Sequence, residues 1–308
     1  HDLRSRMGDR GAAAGTLVAL AVVFQETGRL AEAREAYETA LPVLREIGDR
    51  TREAKALNNF AAFLGDRGDL AGMTGLLERS LEIKRETGDL QGAALTLTNL
   101  ANLLRSRGEL ALARARLEEA LKINRDLQDA YGTAFTLRGL VRVLVREGKS
   151  GEALAALEEA LALSRGSGDA EGAAEALQTL GDLSHKAGHL AKARDCYRQA
   201  LEEFRRLKQP ASMVYPLLSL AELDEEQERF GAARARYQQA LPLALEAENG
   251  LLEAHVRSGL ASTAEKQGDL PRARSEHEKA LALWLQMGDK EQTAKTRQAL
   301  ARLGSAGA

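Results

Sequence analysis

The stretch Asn99–Leu121 reads NLANLLRSRGELALARARLEEAL and contains two apolar patterns separated by Gly108. On each side of this glycine, leucine and alanine recur every three or four residues, which is the spacing of one face of an α-helix. The glycine supplies the left-handed backbone conformation that commonly ends a helix. The stretch therefore predicts two helices joined by a tight turn.

The same pattern recurs along the whole chain with a period of 40 residues. Three rows of residues keep this spacing, namely a turn glycine, a small residue followed by leucine, and a Gly-Asp pair. The first row is Gly28, Gly68, Gly108, Gly148, Gly188, Glu228 and Gly268; the second begins at Ala40, Ser80, Ala120, Ala160, Ala200, Ala240 and Ala280; the third begins at Gly48, Gly88, Gln128, Gly168, Glu248 and Gly288. Independent rows with one period predict a repeat protein.

Each repeat is predicted to contain a helix A and a helix B. In the third repeat we expect helix A over 90–107 and helix B over 110–127, and Asp129 is expected to cap the next helix A with its carboxylate. Since neither helix can bury its apolar face alone, neighbouring repeats must stack. The predicted fold is all-α, a right-handed superhelical solenoid in a single domain over 1–308. Its seven complete repeats are 10–49, 50–89, 90–129, 130–169, 170–209, 210–249 and 250–289.

Both ends of the sequence align with incomplete repeats. Residues 1–9 are expected to belong to helix B of an earlier repeat, because Leu3–Asp9 aligns with Val43–Asp49. Residues 290–303 are expected to form the first helix of an eighth unit. We interpret the sequence as a segment of a longer protein, and its truncated repeat predicts end-to-end self-association, since an uncapped solenoid end presents apolar surface.

The composition argues against several classes of function. The chain has 43 basic and 45 acidic residues and a net charge of −2, so no overall field favours DNA, RNA or an anionic membrane. Aromatic residues make up 4% of the chain, which leaves few rings for stacking bases. One cysteine cannot build a disulfide framework, and no apolar run approaches the roughly 20 residues of a membrane span. We expect a cytoplasmic protein without nucleic-acid or membrane partners.

The repeat resembles the tetratricopeptide repeat. Its small residues and its large residues fall where that family places them, the small ones at Ala101, Gly108, Ala113 and Ala120 and the large ones at Leu104 and Leu117. The 40-residue form is similar to Pins/LGN-type adaptors and to the sensor domains of bacterial MalT-like regulators. The resemblance implies a superhelix whose A helices line a concave, peptide-binding groove, with no cofactor.

Family positions that point into the groove give a charge pattern along the chain. An apolar beginning at Val18 and Val22 is followed by amides, then by cations, then by carboxylates. The predicted peptide-binding residues are Asn58, Asn59, Asn99, Asn102, Arg105, Arg138, Arg142, Arg146, Asp182, Glu222 and Glu225. Amides can bind both groups of a peptide backbone, and arginine forks suit carboxylates. The alternative is that the basic and acidic residues pair with each other across adjacent repeats.

Other motifs give weaker indications of chemistry. Gly148-Lys149-Ser150 ends like a phosphate-binding loop, but position 143 is valine and the segment is predicted to be helical. His185 and His189 have the spacing of two metal ligands on one helix, yet Gly188 ends the helix between them. Cys196 has no histidine in register to activate it. We predict no catalytic residue, no cofactor and no metal ligand.

The sixth repeat departs from the others. It begins with Lys208-Gln209-Pro210, carries Pro216 within helix A and has Glu228 at the turn. Helix A is therefore expected to begin near Pro210, since proline is tolerated in the first turn of a helix. A hinge and plain sequence drift both explain this repeat.

The sequence predicts a module that binds a protein or peptide ligand in the concave groove. The ligand is either a separate chain or a domain of the same parent chain. The first alternative is a ligand-sensing domain of a larger bacterial STAND-type ATPase or transcriptional regulator. A helical, Rap-like phosphatase is the third hypothesis.

Overall fold

A computed structural model describes residues 2–65, 67 and 69–305, and these residues form α-helices joined by short turns, without a β-strand. The predicted all-α repeat fold is confirmed. Gly68, a member of the glycine row, lies outside the described residues. The helices are α1 (Asp2–Glu26), α2 (Leu30–Glu46), α3 (Arg50–Gly65), α4 (Leu70–Glu86), α5 (Leu90–Ser106), α6 (Leu110–Asp126), α7 (Ala130–Arg146), α8 (Ser150–Ser167), α9 (Ala170–Lys186), α10 (Leu190–Arg206), α11 (Pro210–Glu226), α12 (Phe230–Glu246), α13 (Gly250–Lys266), α14 (Leu270–Met287) and α15 (Lys290–Ser305).

The chain divides into two compact units, residues 1–163 and 164–308, with the boundary inside α8. We call the odd-numbered helices A and the even-numbered helices B. In the first unit α1 packs on α2, α3 on α4 and α5 on α6, and in the second unit the corresponding A and B helices pair in the same way. Direct contacts also join α1 to α3, α3 to α5 and α5 to α7, whereas α2, α4 and α6 make their main contacts with A helices. The A helices are therefore the more closely spaced layer of the first unit.

The turns between helices follow the sequence rows. The turn glycines adopt the left-handed conformation, for example Gly108 with φ of 82° and Gly148 with φ of 76°. The aspartates that follow the second turn cap helix A, as predicted for Asp129, whose carboxylate accepts a hydrogen bond from the backbone N–H of Gly132 at 2.8 Å. A capping side chain of this kind satisfies one of the free amides of the first turn.

Among the described residues, four turns have a left-handed residue that is not glycine. These residues occupy glycine positions of the repeat, at Gln128, Lys208, Glu228 and Glu248, with φ between 49° and 58°. The left-handed conformation costs a residue with a Cβ about 1–2 kcal/mol. The packing of the helices on either side therefore has to offset the free-energy cost of the left-handed residue at each of these turns.

Replacing Glu228 by glycine is expected to raise the free energy of unfolding by about 1 kcal/mol, after allowing for the greater freedom of glycine in the unfolded chain. Urea denaturation measures this change. The matched control is Gly188→Ala at the equivalent turn, where φ is 79° and the space around an added Cβ is open. The control should lose stability through backbone strain alone, and a loss in Glu228→Gly as well would contradict this account.

The core forms where small and large residues of successive helices meet. Ala101 and Ala113 are fully buried, and Leu117 packs against both of them. At the corresponding position of the first repeat, Tyr37 stacks on Phe60 with 5.1 Å between the ring centroids. Burial of these apolar faces between neighbouring helices is the main stabilising contribution of a stacked repeat.

The irregular parts of the sequence are accommodated within helices. α11 begins at Pro210, as predicted, and continues through Pro216. The boundary predicted between residues 9 and 10 is wrong as a helix boundary, because α1 is continuous from Asp2 to Glu26. Glycine at position 8 can remain helical at a cost of about 1 kcal/mol, and the following Ala12–Ala14 run favours helix strongly. In the described part of the chain no helix has the length and apolar character needed to cross a membrane.

Candidate functional site

The predicted groove residues all lie on A helices. They are Asn58 and Asn59 on α3, Asn99, Asn102 and Arg105 on α5, Arg138, Arg142 and Arg146 on α7, Asp182 on α9, and Glu222 and Glu225 on α11. The amides and cations belong to the first unit and the carboxylates to the second. The two groups are therefore two separate candidate surfaces.

Two of the predicted asparagines are used inside the first unit. Asn58 is 7% exposed, and its Oδ1 accepts hydrogen bonds from the Asn99 amide at 3.1 Å and from the Thr96 hydroxyl at 3.3 Å. The Thr96 hydroxyl in turn accepts from the Lys84 ammonium at 2.8 Å. These bonds join α3, α4 and α5, so Asn58 holds helices together instead of facing a ligand.

The other two asparagines are half-buried and have no hydrogen-bond partner among the described residues. Asn59 lines a cleft of about 350 Å³ together with Val18 and Val22, the apolar residues predicted at the start of the groove. Asn102 lies on α5, close in sequence to Arg105. Each of these amides retains its full capacity to donate and accept hydrogen bonds.

We call the surface formed by the odd-numbered helices the A-helix face. In the first unit this face is basic, because α5 carries Arg105 and α7 carries Arg138, Arg142 and Arg146. The Nη1 of Arg146 donates to the backbone oxygen of Arg105 at 2.9 Å. Burial lowers the pKa of Arg105, and the positive charge of Arg146 lowers it further. The buried Nε of Arg105 has no hydrogen-bond partner in the part of the chain that the structure describes. Arg138 is buried over the ring of Phe135 at 5.7 Å, and Arg142 is exposed.

An apolar cleft that the sequence analysis missed lies on the same two helices. It has a volume of about 450 Å³, and Leu95, Tyr131 and Phe135 are among the residues that line it. Leu95 is 44% exposed and Tyr131 is 56% exposed, which is high for large apolar side chains. At the rim the Gln91 amide donates to the Asp129 carboxylate at 2.9 Å. Leu95 and Phe135 are 40 residues apart. This pair of large apolar residues at equivalent repeat positions could have indicated the cleft from the sequence.

Asp182 and Glu222 of the second unit are exposed, yet the surrounding protein partly desolvates their carboxylates. Asp182 accepts hydrogen bonds from the Tyr197 hydroxyl at 2.9 Å and from the Gln178 amide at 3.1 Å. Desolvation by the surrounding protein raises the pKa of Asp182, and the two hydrogen bonds oppose this shift. Desolvation also raises the pKa of Glu222, with a contribution from the negative charges of Asp182 and Glu225.

Pairing within the second unit involves some of these acids. Glu225 accepts from the Thr263 hydroxyl and from the Lys266 ammonium, each at 2.6 Å. His185 lies 2.8 Å from the carboxylate of Glu226. Glu222 makes neither a hydrogen bond nor a salt bridge with the described residues. Internal pairing therefore neutralises Glu225 and leaves Glu222 available.

The weaker motifs of the sequence are structural elements. Gly148-Lys149 forms the turn before α8, His185 lies in the last turn of α9, and His189 occupies the N-cap position of α10. Cys196 is 4% exposed, and burial raises the pKa of its thiol, which disfavours the nucleophilic thiolate. Within the described ranges no group of three or more His, Cys, Asp or Glu side chains is arranged to hold a metal ion.

Paired helices with a 40-residue period and a polar A-helix face define a helical-repeat protein of the kind used for protein interaction. The tetratricopeptide repeat family model matches residues 12–71, 52–126 and 132–206. The chain belongs to the tetratricopeptide repeat family. A comparison with the curated proteins finds no match.

Several solved structures share this fold. BtubC (BKLC) from P. vanneervenii has 20% sequence identity over 71% of this chain and 92% of its own, with a TM-score of 0.64. A STAND protein with a tetratricopeptide repeat sensor from Pyrococcus horikoshii has 16% identity over 94% of this chain and 47% of its own, with a TM-score of 0.62. A Rap protein complexed with Competence and Sporulation Factor has 13% identity over 96% of this chain and 98% of its own, with a TM-score of 0.59. At these identities the similarity shows the fold alone.

Proposed function

We propose that this chain is a non-catalytic, cytoplasmic module that binds a polypeptide segment along its A-helix face. The observation that carries the proposal is a set of polar side chains on that face that have no hydrogen-bond partner among the described residues, namely Asn59 and Asn102 in the first unit and Glu222 in the second. Asn59 and Asn102 are half-buried, and half-buried polar groups without partners favour a ligand that supplies the missing hydrogen bonds. Glu222 is exposed and can accept hydrogen bonds or pair with a cation of the ligand. The clefts beside Asn59 and beside Leu95 offer apolar contact at the same face.

The charge of each surface indicates which residues a bound segment would carry there, acidic ones on the first unit and basic ones on the second. The first unit presents arginines and the second presents carboxylates, and complementary charges favour encounter and orientation of a ligand more than raw affinity. The ligand is a protein or peptide, either separate or part of the parent chain.

A peptide library displayed on phage and selected on the wild-type protein tests the proposal. We expect the selected peptides to bind Asn59→Ala/Asn102→Ala about tenfold more weakly, since each lost hydrogen bond contributes about 0.5–1.5 kcal/mol. Fluorescence anisotropy measures the affinity. The matched control is Lys122→Ala on the exposed side of α6, which should bind like the wild type. Selection of no peptide, or loss of binding in the control alone, would contradict the proposal.

A regulatory sensor domain is the second candidate function. The STAND protein from Pyrococcus horikoshii favours it, because this chain aligns with 47% of that protein, whose printed description includes a tetratricopeptide repeat sensor. In that case the A-helix face would hold a small ligand or a domain of the same parent chain. A Rap-like phosphatase is the third candidate, supported by the fold of the Rap neighbours alone.

End-to-end self-association is a further part of the proposal. Leu20 and Val23 of α1 are 40% and 49% exposed, and the α1 segment from Gly11 to Gln25 carries no charged residue. An uncharged helical segment that exposes large apolar side chains gains by contact with another apolar surface.

A further inference from the structure

The first unit contains a pair of arginines without a carboxylate partner. Arg105 and Arg146 are joined by the hydrogen bond from the Arg146 guanidinium to the Arg105 carbonyl at 2.9 Å, and the charge of Arg146 acts on the Arg105 guanidinium. Neither arginine forms a salt bridge with the described residues. Several other arginines of this unit pair with carboxylates, as Arg125 does with Glu159 at 2.8 Å. Two neighbouring cations without a counter-charge disfavour each other, and an anion bound between them relieves that cost.

A free amide and an apolar side chain precede Arg105 on α5. Leu95, Asn102 and Arg105 are separated by seven and three residues, so they lie on nearly the same face of the helix. With a rise of about 1.5 Å per residue, the apolar and cationic side chains are about 15 Å apart along the axis. On α7 the ring of Phe135 and the cation of Arg146 are separated by a similar distance, about 16 Å. Both helices thus present apolar surface at one end and positive charge at the other.

We infer that this face of α5 and α7 recognises an acidic peptide that carries a large apolar side chain four or five residues from its carboxylates. The apolar side chain enters the cleft of about 450 Å³ beside Leu95 and Tyr131. The carboxylates bind Arg105 and Arg146, and the amide of Asn102 binds the peptide backbone between these two points. The spacing follows because an extended chain advances about 3.3 Å per residue. This inference rests on the proposed function and specifies its ligand in the first unit.

Synthetic labelled peptides test the inference on the full chain. The parent peptide contains one phenylalanine, a four-residue glycine–serine spacer and two glutamates, and a second peptide has the reverse order. In two further peptides lysine replaces both glutamates or alanine replaces the phenylalanine. We expect one of the two acidic orders to bind the wild type, with at least tenfold weaker binding after either replacement and a marked weakening at high salt.

Protein variants locate the contacts. Arg105→Gln/Arg146→Gln is expected to weaken the acidic peptide at least tenfold without losing stability, because it also removes the buried Nε that has no partner. The matched control Arg79→Gln/Arg116→Gln removes the same charge from α4 and α6 and should bind like the wild type. Leu95→Ala should weaken the phenylalanine peptide and leave the alanine peptide unchanged.

The outcomes separate this inference from the proposed function. If neither acidic peptide binds, or if the Arg105→Gln/Arg146→Gln variant binds the acidic peptide as tightly as the wild type, the inference is overturned. If in addition the library peptides still depend on Asn59 and Asn102, the proposed function stands. If no peptide of either set depends on the A-helix face, both are overturned.

Discussion

Replacing Gly181 by alanine is expected to destabilise the protein by about 2–3 kcal/mol, although the same change usually stabilises a helix. Gly181 lies within α9, and a Cβ added there would come within 2.3 Å of Cε1 and 2.5 Å of Cδ1 in the ring of Tyr197. Tyr197 is 1% exposed and belongs to the buried core of the second unit, so moving its ring aside would disturb the neighbouring side chains. A Cβ added at Gly259 would likewise come within 2.3 Å of Cε1 and Cζ in the ring of Tyr237. Urea denaturation of Gly181→Ala measures the loss.

A double variant tests whether the tyrosine ring is the cause. In the third repeat, Ala101 and Leu117 occupy the positions of Gly181 and Tyr197. The Gly181→Ala/Tyr197→Leu variant recreates that pair, and its loss should be smaller than the sum of the two single losses. Additive losses would show that the alanine is destabilising for another reason.

A second helical glycine serves as the control. Gly75 lies in α4 with no atom near an added Cβ. There Gly75→Ala should stabilise by about 0.8–1 kcal/mol, the ordinary difference between the helix propensities of the two residues. A loss of stability at Gly75 as well would mean that alanine is unfavourable in these helices regardless of the tyrosine.

The fold could be predicted because the same local sequence features recur along the chain. A turn glycine, a buried small residue and a capping aspartate recur every 40 residues, and each has a local physical reason. The reason Gly181 is a glycine was not predictable in the same way. It depends on the size of a side chain from the neighbouring helix, and a one-dimensional pattern gives no distance between the two.

The candidate site was predicted only in outline. Family positions selected Asn59, Asn102 and Arg105, which are half-buried. The two asparagines have no hydrogen-bond partner among the described residues, and Arg105 forms no salt bridge with those residues. They also selected Asn58, because the positions specify a side of the helix and not whether a neighbouring Thr96 already binds the amide. The cleft beside Leu95 was missed because an apolar residue at helical spacing is usually core.

Asp224 is a buried carboxylate. A comparison of equivalent positions in the repeats would have shown from the sequence that this residue is unusual. A charge here replaces a mostly apolar residue, since the equivalents in the earlier repeats are Phe24, Leu64, Leu104, Leu144 and Ser184. The side chain of Asp224 is 1% exposed and contacts Arg194 at 2.8 Å, Arg229 at 2.9 Å and Arg236 at 2.7 Å. Burial alone would raise its pKa, but the hydrogen bonds from Arg236 and Arg194 outweigh burial and hold the pKa below its ordinary value.

Replacing Asp224 by asparagine is expected to destabilise the protein by about 3–5 kcal/mol, because it leaves three guanidinium groups around an uncharged side chain. Urea denaturation at neutral pH measures the change. The control is Glu202→Gln, which breaks the exposed pair with Arg205 and should cost at most about 1 kcal/mol. Equal effects in the two variants would contradict a special role of the buried carboxylate.

The pH dependence of stability gives a second, independent test of Asp224. A carboxyl group whose pKa is lower in the folded state than in the unfolded state stabilises fully above the unfolded value, which is about 3.9 for aspartate. This contribution is lost as the pH falls through the lower folded value. The difference in unfolding free energy between the wild type and Asp224→Asn should therefore be constant from neutral pH to about pH 5 and shrink below about pH 4. A difference that stays constant into the acid range would show that the lost stability comes from packing and not from the charge, since asparagine and protonated aspartate are nearly equal in shape.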